Sequence, residues 1–296
     1  MPQHLLGIKD LSHSDIVSIL QRSSFFFQVG SPMNPLSGRH IINCFFENST
    51  RTKLSFELAQ SKVGVKFHNF DTSKSSITKG ETLIDTLKTF ESMGFHAAVI
   101  RHSENDLFES IKASDLGISV INAGSGTSEH PTQALLDLFT MQQEFGDLEG
   151  RTISIIGDIK HSRVARSNMI ALDKLGARVK LSGPKALMLD SKELPTCAKN
   201  VEIDEAFCDT DVVMMLRMQS ERHNLSFDNT NYLQDYGLNA QRARQLNPKT
   251  IIMHPGPFNR EKEIDSSLIN HPQSRIWRQV RNGTIVRMAI LDWIFK

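Results

Sequence analysis

At 296 residues, with 39% hydrophobic and 23% charged content, the chain has the make-up of an ordinary globular protein and is long enough for two domains. Its 34 Lys and Arg against 33 Asp and Glu leave a net charge of +1, which argues against nucleic acid or an anionic membrane as the main partner. No segment reaches the roughly 18 unbroken apolar residues of a membrane span, and Cys44, Cys197 and Cys208 fit neither a disulfide framework nor a zinc spacing. A soluble cytoplasmic protein is expected.

The N-terminal stretch "MPQHLLGIKDLSHSD" lacks the apolar core of a secretory signal. From there, short apolar runs alternate with helical patterns, which predicts an α/β protein with parallel sheets. In the first half the spacing predicts strands over 41–46, 66–70, 97–100 and 119–122, and helices over 53–63, 82–93 and 131–145. Between the first strand and its helix stand Ser49, Thr50, Arg51 and Thr52. Ser and Thr are preferred N-caps, so capping alone accounts for them. The other reading is a phosphate socket, because a helix N-terminus offers N–H groups and about half a positive charge.

The polar loop before the second helix carries Ser75 and Lys79, and Arg101 follows the strand at 97–100. Pro131 suits the first helical position, which places His130 at the cap and Gln133 in the first turn on nearly the same face. That pair reads either as a plain helix start or as holders of a carbonyl oxygen and an amide.

The polar segment 146–150, with two glycines, predicts a domain boundary. Beyond it come strands over 152–156, 178–181, 212–216 and 250–253, a helix over 163–175, and a closing helix over 284–295 after an Asn282-Gly283 turn. Gly64, Gly94, Gly146 and Gly176 supply the helix stops. The domains expected are 1–146, with 284–296 packing back on it, and 147–283: two doubly wound parallel sheets joined by helices. A cleft between them would suit a two-substrate enzyme.

Here too cations follow strands. Arg163 and Arg166 come after the strand ending at Ile156, Arg217 after "DVVMML", and His254-Pro255-Gly256-Pro257 after "TIIM". Ligands of open α/β sheets lie beyond the carboxyl ends of the strands, so such residues in a chain of net charge +1 point to an anion-rich substrate pair. There is no Walker glycine loop, no paired-cysteine metal site, no HExxH and no Ser-His-Asp elbow, and Gly124-Ser125-Gly126 lacks the third glycine of a dinucleotide turn. Neither metal nor cofactor is expected.

The segments "FFENSTRTKLSFE", "SSITKGETL", "VIRHSE", "HPTQALLDLF", "GDIKHSRVARSN", "RMQSER" and "IMHPGPFNR" occur in the order in which the aspartate/ornithine carbamoyltransferase family has them, and the chain resembles that family's aspartate-specific catalytic chains from about Leu5 to its end. The resemblance implies transfer of the carbamoyl group of carbamoyl phosphate to L-aspartate, the committed step of pyrimidine synthesis. It implies that phosphate lies on Ser49, Thr50, Arg51 and Thr52 with Arg101 alongside, and that Thr52, Arg101 and His130 polarise the carbamoyl oxygen. The carbamoyl amide would meet Gln133 and the backbone of the turn at Pro255, Gly256 and Pro257. Aspartate's carboxylates would go to Lys79, Arg163, Arg217 and Gln219. Ser75 and Lys79 would come from a neighbouring subunit, so the resemblance implies a homotrimer with shared active sites and no evident regulatory chain.

Four departures from the family pattern stand out: Ser125 and Glu129 in place of Asp and Gln, Gly256 in place of a bulkier apolar residue, and Glu261 in place of glycine. Glu129 could raise the pKa of His130, unless it points away. Two other functions are weighed against the aspartate reading. One is a carbamoyltransferase for another amine such as ornithine, which would carry a Cys in the turn at 254–257. The other is a non-catalytic scaffold relative, which would have lost Arg51, Thr52, Arg101, His130 or Gln133.

Overall fold

The structure, a computed structural model, describes residues 2–30, 34–74, 80–218 and 231–296. The chain divides into two compact units, Met1–Phe139 with Arg281–Lys296, and Thr140–Val280.

In the first unit, α1 (His13–Val29) precedes a sheet of strands β1 (His40–Phe45), β2 (Lys66–Asn69), β3 (Ala97–His102) and β4 (Ser119–Ser125). These alternate with α2 (Thr50–Lys62), α3 (Leu83–Ser92) and α4 (Leu107–Lys112), and α5 (Pro131–Phe145) follows β4. The order is β2-β1-β3-β4 and every pairing is parallel. Side chains of opposite parity along β1 have different partners. Ile42 and Cys44 join Leu87, Phe90, Ala98, Ile100 and Phe108 in one apolar cluster. Asn43 instead exchanges two hydrogen bonds with Gln60 of α2, at 3.0 and 2.8 Å. Both amides are buried, so leaving either unpaired would cost about 1–3 kcal/mol. With Phe56, which is fully buried, this exchange fixes α2 on its strand.

In the second unit the strands are β5 (Thr152–Ile156), β6 (Arg178–Ser182), β7 (Ala198–Asn200), β8 (Val212–Met215) and β9 (Ile251–Met253), in the parallel order β7-β6-β5-β8-β9. Its helices are α6 (Arg163–Lys174), α7 (Ile203–Phe207), α8 (Tyr232–Asp235) and α9 (Ala240–Gln245). Ile156, Val213, Met215 and Ile252 from three strands pack with Phe207, Leu238 and Leu246. β5 is buried at every position, as expected of a parallel strand covered on both faces.

The α/β class and two parallel sheets follow the expectation, and the helix stops do too: Gly176, just past α6, has φ +69. The expected turn at Asn282-Gly283 is corrected. α10 (Ile276–Ile294) runs straight through it. A β-carbon at position 283 would lie 3.6 Å from Leu136 Cδ2 and 2.8 Å from Arg287 Nη1, so the glycine there serves close packing rather than a bend. α1, α4 and the three-residue β7 carry weak or short patterns and were not among the predicted elements.

Candidate active site

The start of α2 bears on the capping reading of its sequence. Ser49 occupies the N-cap position with extended backbone (φ −157, ψ 105), but its hydroxyl makes no capping hydrogen bond. Ser12 and Thr82 do cap their helices, accepting from Asp15 N and Asp85 N at 3.1 Å each. The capping expectation at Ser49 is therefore corrected. The first amides of a helix have no partner within it, and here the N-cap side chain does not supply one. Thr50 and Arg51 are exposed, and Thr52 is buried.

Arg101 lies beside the segment that leads from β1 into this helix. It sits where the β3–β4 register shifts, an irregularity that re-aims a side chain, and it is paired across the sheet with Phe45 at the end of β1. β1 and β3 are the neighbours at which the strand order reverses, the place where open sheets bind ligands. The Glu47 carboxylate lies 3.2 Å from Arg101 Nε, and Arg101 Nη1 donates to Ala123 O at 3.3 Å. The pair offsets the cost of burying the guanidinium and sets its direction.

His130 precedes α5 as expected, and its carbonyl accepts from Gln133 N at 3.0 Å and Ala134 N at 3.1 Å. Both His130 and Gln133 are buried. Gln133 Nε2 donates to Asp137 Oδ1 at 2.8 Å, one turn along the helix. Glu129 accepts from Ile8 N through Oε2 at 2.6 Å, so its carboxylate ties down the N-terminal segment.

In the second unit, Arg163 opens α6 and is mostly buried. Ser162 caps that helix, accepting from Ala165 N at 3.2 Å, and the preceding turn is held by Asp158 Oδ1 at 2.8 Å from His161 Nδ1. Arg217, partly exposed, follows β8 by two residues. β5 and β8 are the neighbours at which this second order reverses. Arg166 donates to Lys160 O at 3.2 Å, back to the segment before α6. After β9, His254 Nδ1 accepts from Gly256 N at 2.9 Å, and His254 N donates to Gln279 Oε1 at 2.9 Å. Asn259 N donates to the buried Glu263, so the turn carrying Gly256 and Pro257 is held on both sides. Gly256 has φ +64, a conformation glycine adopts without strain. Ser75, Lys79 and Gln219 lie outside the described residues.

Sequence reasoning missed Glu47, Asp137, Glu263 and Arg287, whose partners are set by the fold. The Arg287 guanidinium, on α10, lies 5.0 Å from the Phe56 ring centroid and donates to Gly283 O at 2.9 Å and Thr132 Oγ1 at 3.3 Å. Burial lowers its pKa, Arg101 lowers it further, and Asp137 opposes both. Burial also raises the pKa of the Cys44 thiol, which makes that cysteine a core residue rather than a nucleophile. Among the described residues no helix is long and apolar enough to cross a membrane.

Comparison with known proteins identifies relatives of both units. Residues 3–143 match the description "Aspartate/ornithine carbamoyltransferase, carbamoyl-P binding domain", and residues 149–294 match the family's "Asp/Orn binding domain". The chain is 46% identical over 294 residues to an aspartate carbamoyltransferase catalytic subunit of Staphylococcus epidermidis, covering 98% of each. It is similar to the Trypanosoma cruzi aspartate transcarbamoylase solved with carbamoyl phosphate, at 33% identity and TM-score 0.86, covering 99% of this chain and 96% of that one. The same enzyme with aspartate and phosphate matches at 32% identity and TM-score 0.85, covering 99% and 95%. Matched in both halves and along nearly its whole length, the chain belongs to the aspartate/ornithine carbamoyltransferase family.

Proposed function

We propose that this chain transfers the carbamoyl group of carbamoyl phosphate to the amine of L-aspartate, giving N-carbamoyl-L-aspartate and phosphate. The observation that carries the reading is the α2 start at the β1–β3 switch point, where an N-cap serine makes no cap and Arg101 stands alongside.

In this reading the first unit binds carbamoyl phosphate. Its phosphate takes the α2 amides, the hydroxyls of Ser49, Thr50 and Thr52, and the Arg51 guanidinium, with Ser75 of a neighbouring subunit adding to them. Each charge-assisted hydrogen bond contributes about 1.5–3 kcal/mol. The aspartate amine attacks the carbamoyl carbon, a C–N bond forms, and the carbonyl oxygen gains negative charge. Thr52, Arg101 and His130 stabilise that oxyanion. The C–O bond to phosphate then breaks, the electron pair leaves with phosphate, and phosphate is a suitable acceptor for the amine proton. The carbamoyl NH2 donates to Gln133 and to the backbone of the turn at Gly256 and Pro257. Arg163, Arg217, Gln219 and Lys79 take aspartate's carboxylates. Two anionic substrates repel each other, which explains the number of cations.

The aspartate reading is favoured over ornithine because Arg163 and Arg217 suit a dicarboxylate and because the turn at 254–257 has no cysteine. A homotrimer sharing Ser75 and Lys79 between chains, in the cytoplasm, completes the proposal. The test is carbamoyl-product formation from carbamoyl phosphate with aspartate and with ornithine in parallel, with the molar mass measured by light scattering. Product with aspartate alone from a species of three chains is expected. Product with ornithine would overturn the second-unit assignment, and product with neither would overturn catalysis itself.

A further inference from the structure

A buried carboxylate lies behind the proposed carbamoyl site, outside the direct contacts set out above. Asp137 is fully buried, one helical turn beyond Gln133, and its Oδ1 accepts from Gln133 Nε2 at 2.8 Å. Its nearby counter-charge is Arg287, which bonds Thr132 in the first turn of the same helix. A carboxylate only accepts hydrogen bonds, whereas a carboxamide has a donor end and an acceptor end. A carboxylate against Gln133 therefore takes the nitrogen end and leaves the oxygen end facing elsewhere.

We infer that Asp137 is a positioning residue that fixes the polarity of the Gln133 amide and so makes the site selective for a carbamoyl group over an acyl group of the same shape. This rests on the proposed function, in which Gln133 faces the carbamoyl nitrogen. A carbamoyl NH2 is a donor and needs an acceptor, and an amide held with Oε1 outward supplies one. A methyl group in that place leaves the oxygen unsatisfied, and sites built around a hydrogen bond discriminate against analogues that lack it. With asparagine at position 137, the partner both donates and accepts, and the Gln133 amide is free to turn.

The test is binding of carbamoyl phosphate, acetyl phosphate and inorganic phosphate to the wild-type chain and to Asp137→Asn, by calorimetry, with melting temperature as the folding control. Loss of one neutral hydrogen bond predicts carbamoyl phosphate weakened roughly tenfold. Acetyl phosphate and inorganic phosphate should change by less than about twofold, and in a Gln133→Ala background Asp137→Asn should have no further effect on carbamoyl phosphate. If Asp137→Asn does not fold, Asp137→Ser removes the acceptor-only face with less volume and carries the same expectation. Equal weakening of all three ligands, or full effect in the Gln133→Ala background, would show a merely structural role and overturn the inference. Unchanged carbamoyl phosphate binding would overturn it as well. A wild-type chain that binds carbamoyl phosphate no better than inorganic phosphate would instead overturn the proposed function, on which the inference depends.

Discussion

The starts of α2 and α6 are built from similar sequence and are capped differently. Each follows a strand at the reversal point of its own sheet, and each has serine at the N-cap position. In α6 the Ser162 hydroxyl accepts from Ala165 N, so one of the first amides is satisfied by the cap, and Arg163 follows a capped start. In α2 the Ser49 hydroxyl makes no such bond. An uncapped helix start costs stability on the order of 1 kcal/mol, and an anion bound there restores the missing interactions. The difference teaches that serine at an N-cap position need not cap: under the proposed function the α2 start keeps its serine hydroxyl and first amides for an anion, whereas the α6 start gives one of its amides to Ser162.

The largest effect that sharpens this contrast is expected from Arg51. Arg51→Ala should lower kcat/KM by roughly 10²–10³, as for loss of one transition-state donor, while the melting temperature stays within a degree or two because the residue is exposed. Steady-state kinetics with both substrates varied would check it, and near-wild-type activity would break the contrast. Next comes Ser49→Ala, for which carbamoyl phosphate binding should weaken roughly tenfold or more through loss of a hydrogen bond to a charged group. Its unliganded stability should hardly move, because no cap is lost. Calorimetric titration and thermal melting together read both effects.

Ser162→Ala should do the reverse. It removes a real cap, so stability falls by about 1 kcal/mol, read by urea unfolding, and carbamoyl phosphate binding stays the same. A stability loss at Ser49 equal to that at Ser162 would erase the distinction.

The smallest net effect belongs to Glu261→Gly, in the second unit, where backbone conformation rather than ligand chemistry governs the residue. Glu261 has φ +57, unfavourable for a side chain by about 1 kcal/mol, and its Oε1 accepts from Ser266 N at 2.9 Å. Glu261→Ala keeps the strain and loses the bond, so a loss of about 1 kcal/mol is expected. Glu261→Gly relieves the strain and should recover most of that, as measured by the same unfolding curves.

Much of this was legible in the sequence because it is local. Strand runs, glycine stops and the residues after each strand follow from period and turn chemistry, and these brought Ser49, Arg101, Arg163 and Arg217 to strand ends. The glycine expected at position 261 makes sense of Glu261 only once the left-handed backbone is seen. What was not legible depends on long-range packing. Glu129 meets an amide 121 residues away, and Asn282-Gly283 looks like a turn until the Arg287 guanidinium, bonded to Thr132, lies over the glycine. Ser49 has the composition of a cap, and only its geometry shows that it is not one.

The most direct measurement of the central claim is the titration of carbamoyl phosphate into the wild-type chain and Arg51→Ala, without aspartate, with folding checked by melting. Saturable binding to the wild type, weakened by roughly tenfold or more in a folded Arg51→Ala, is what a phosphate site at the α2 start predicts. Equal binding by both chains would contradict it.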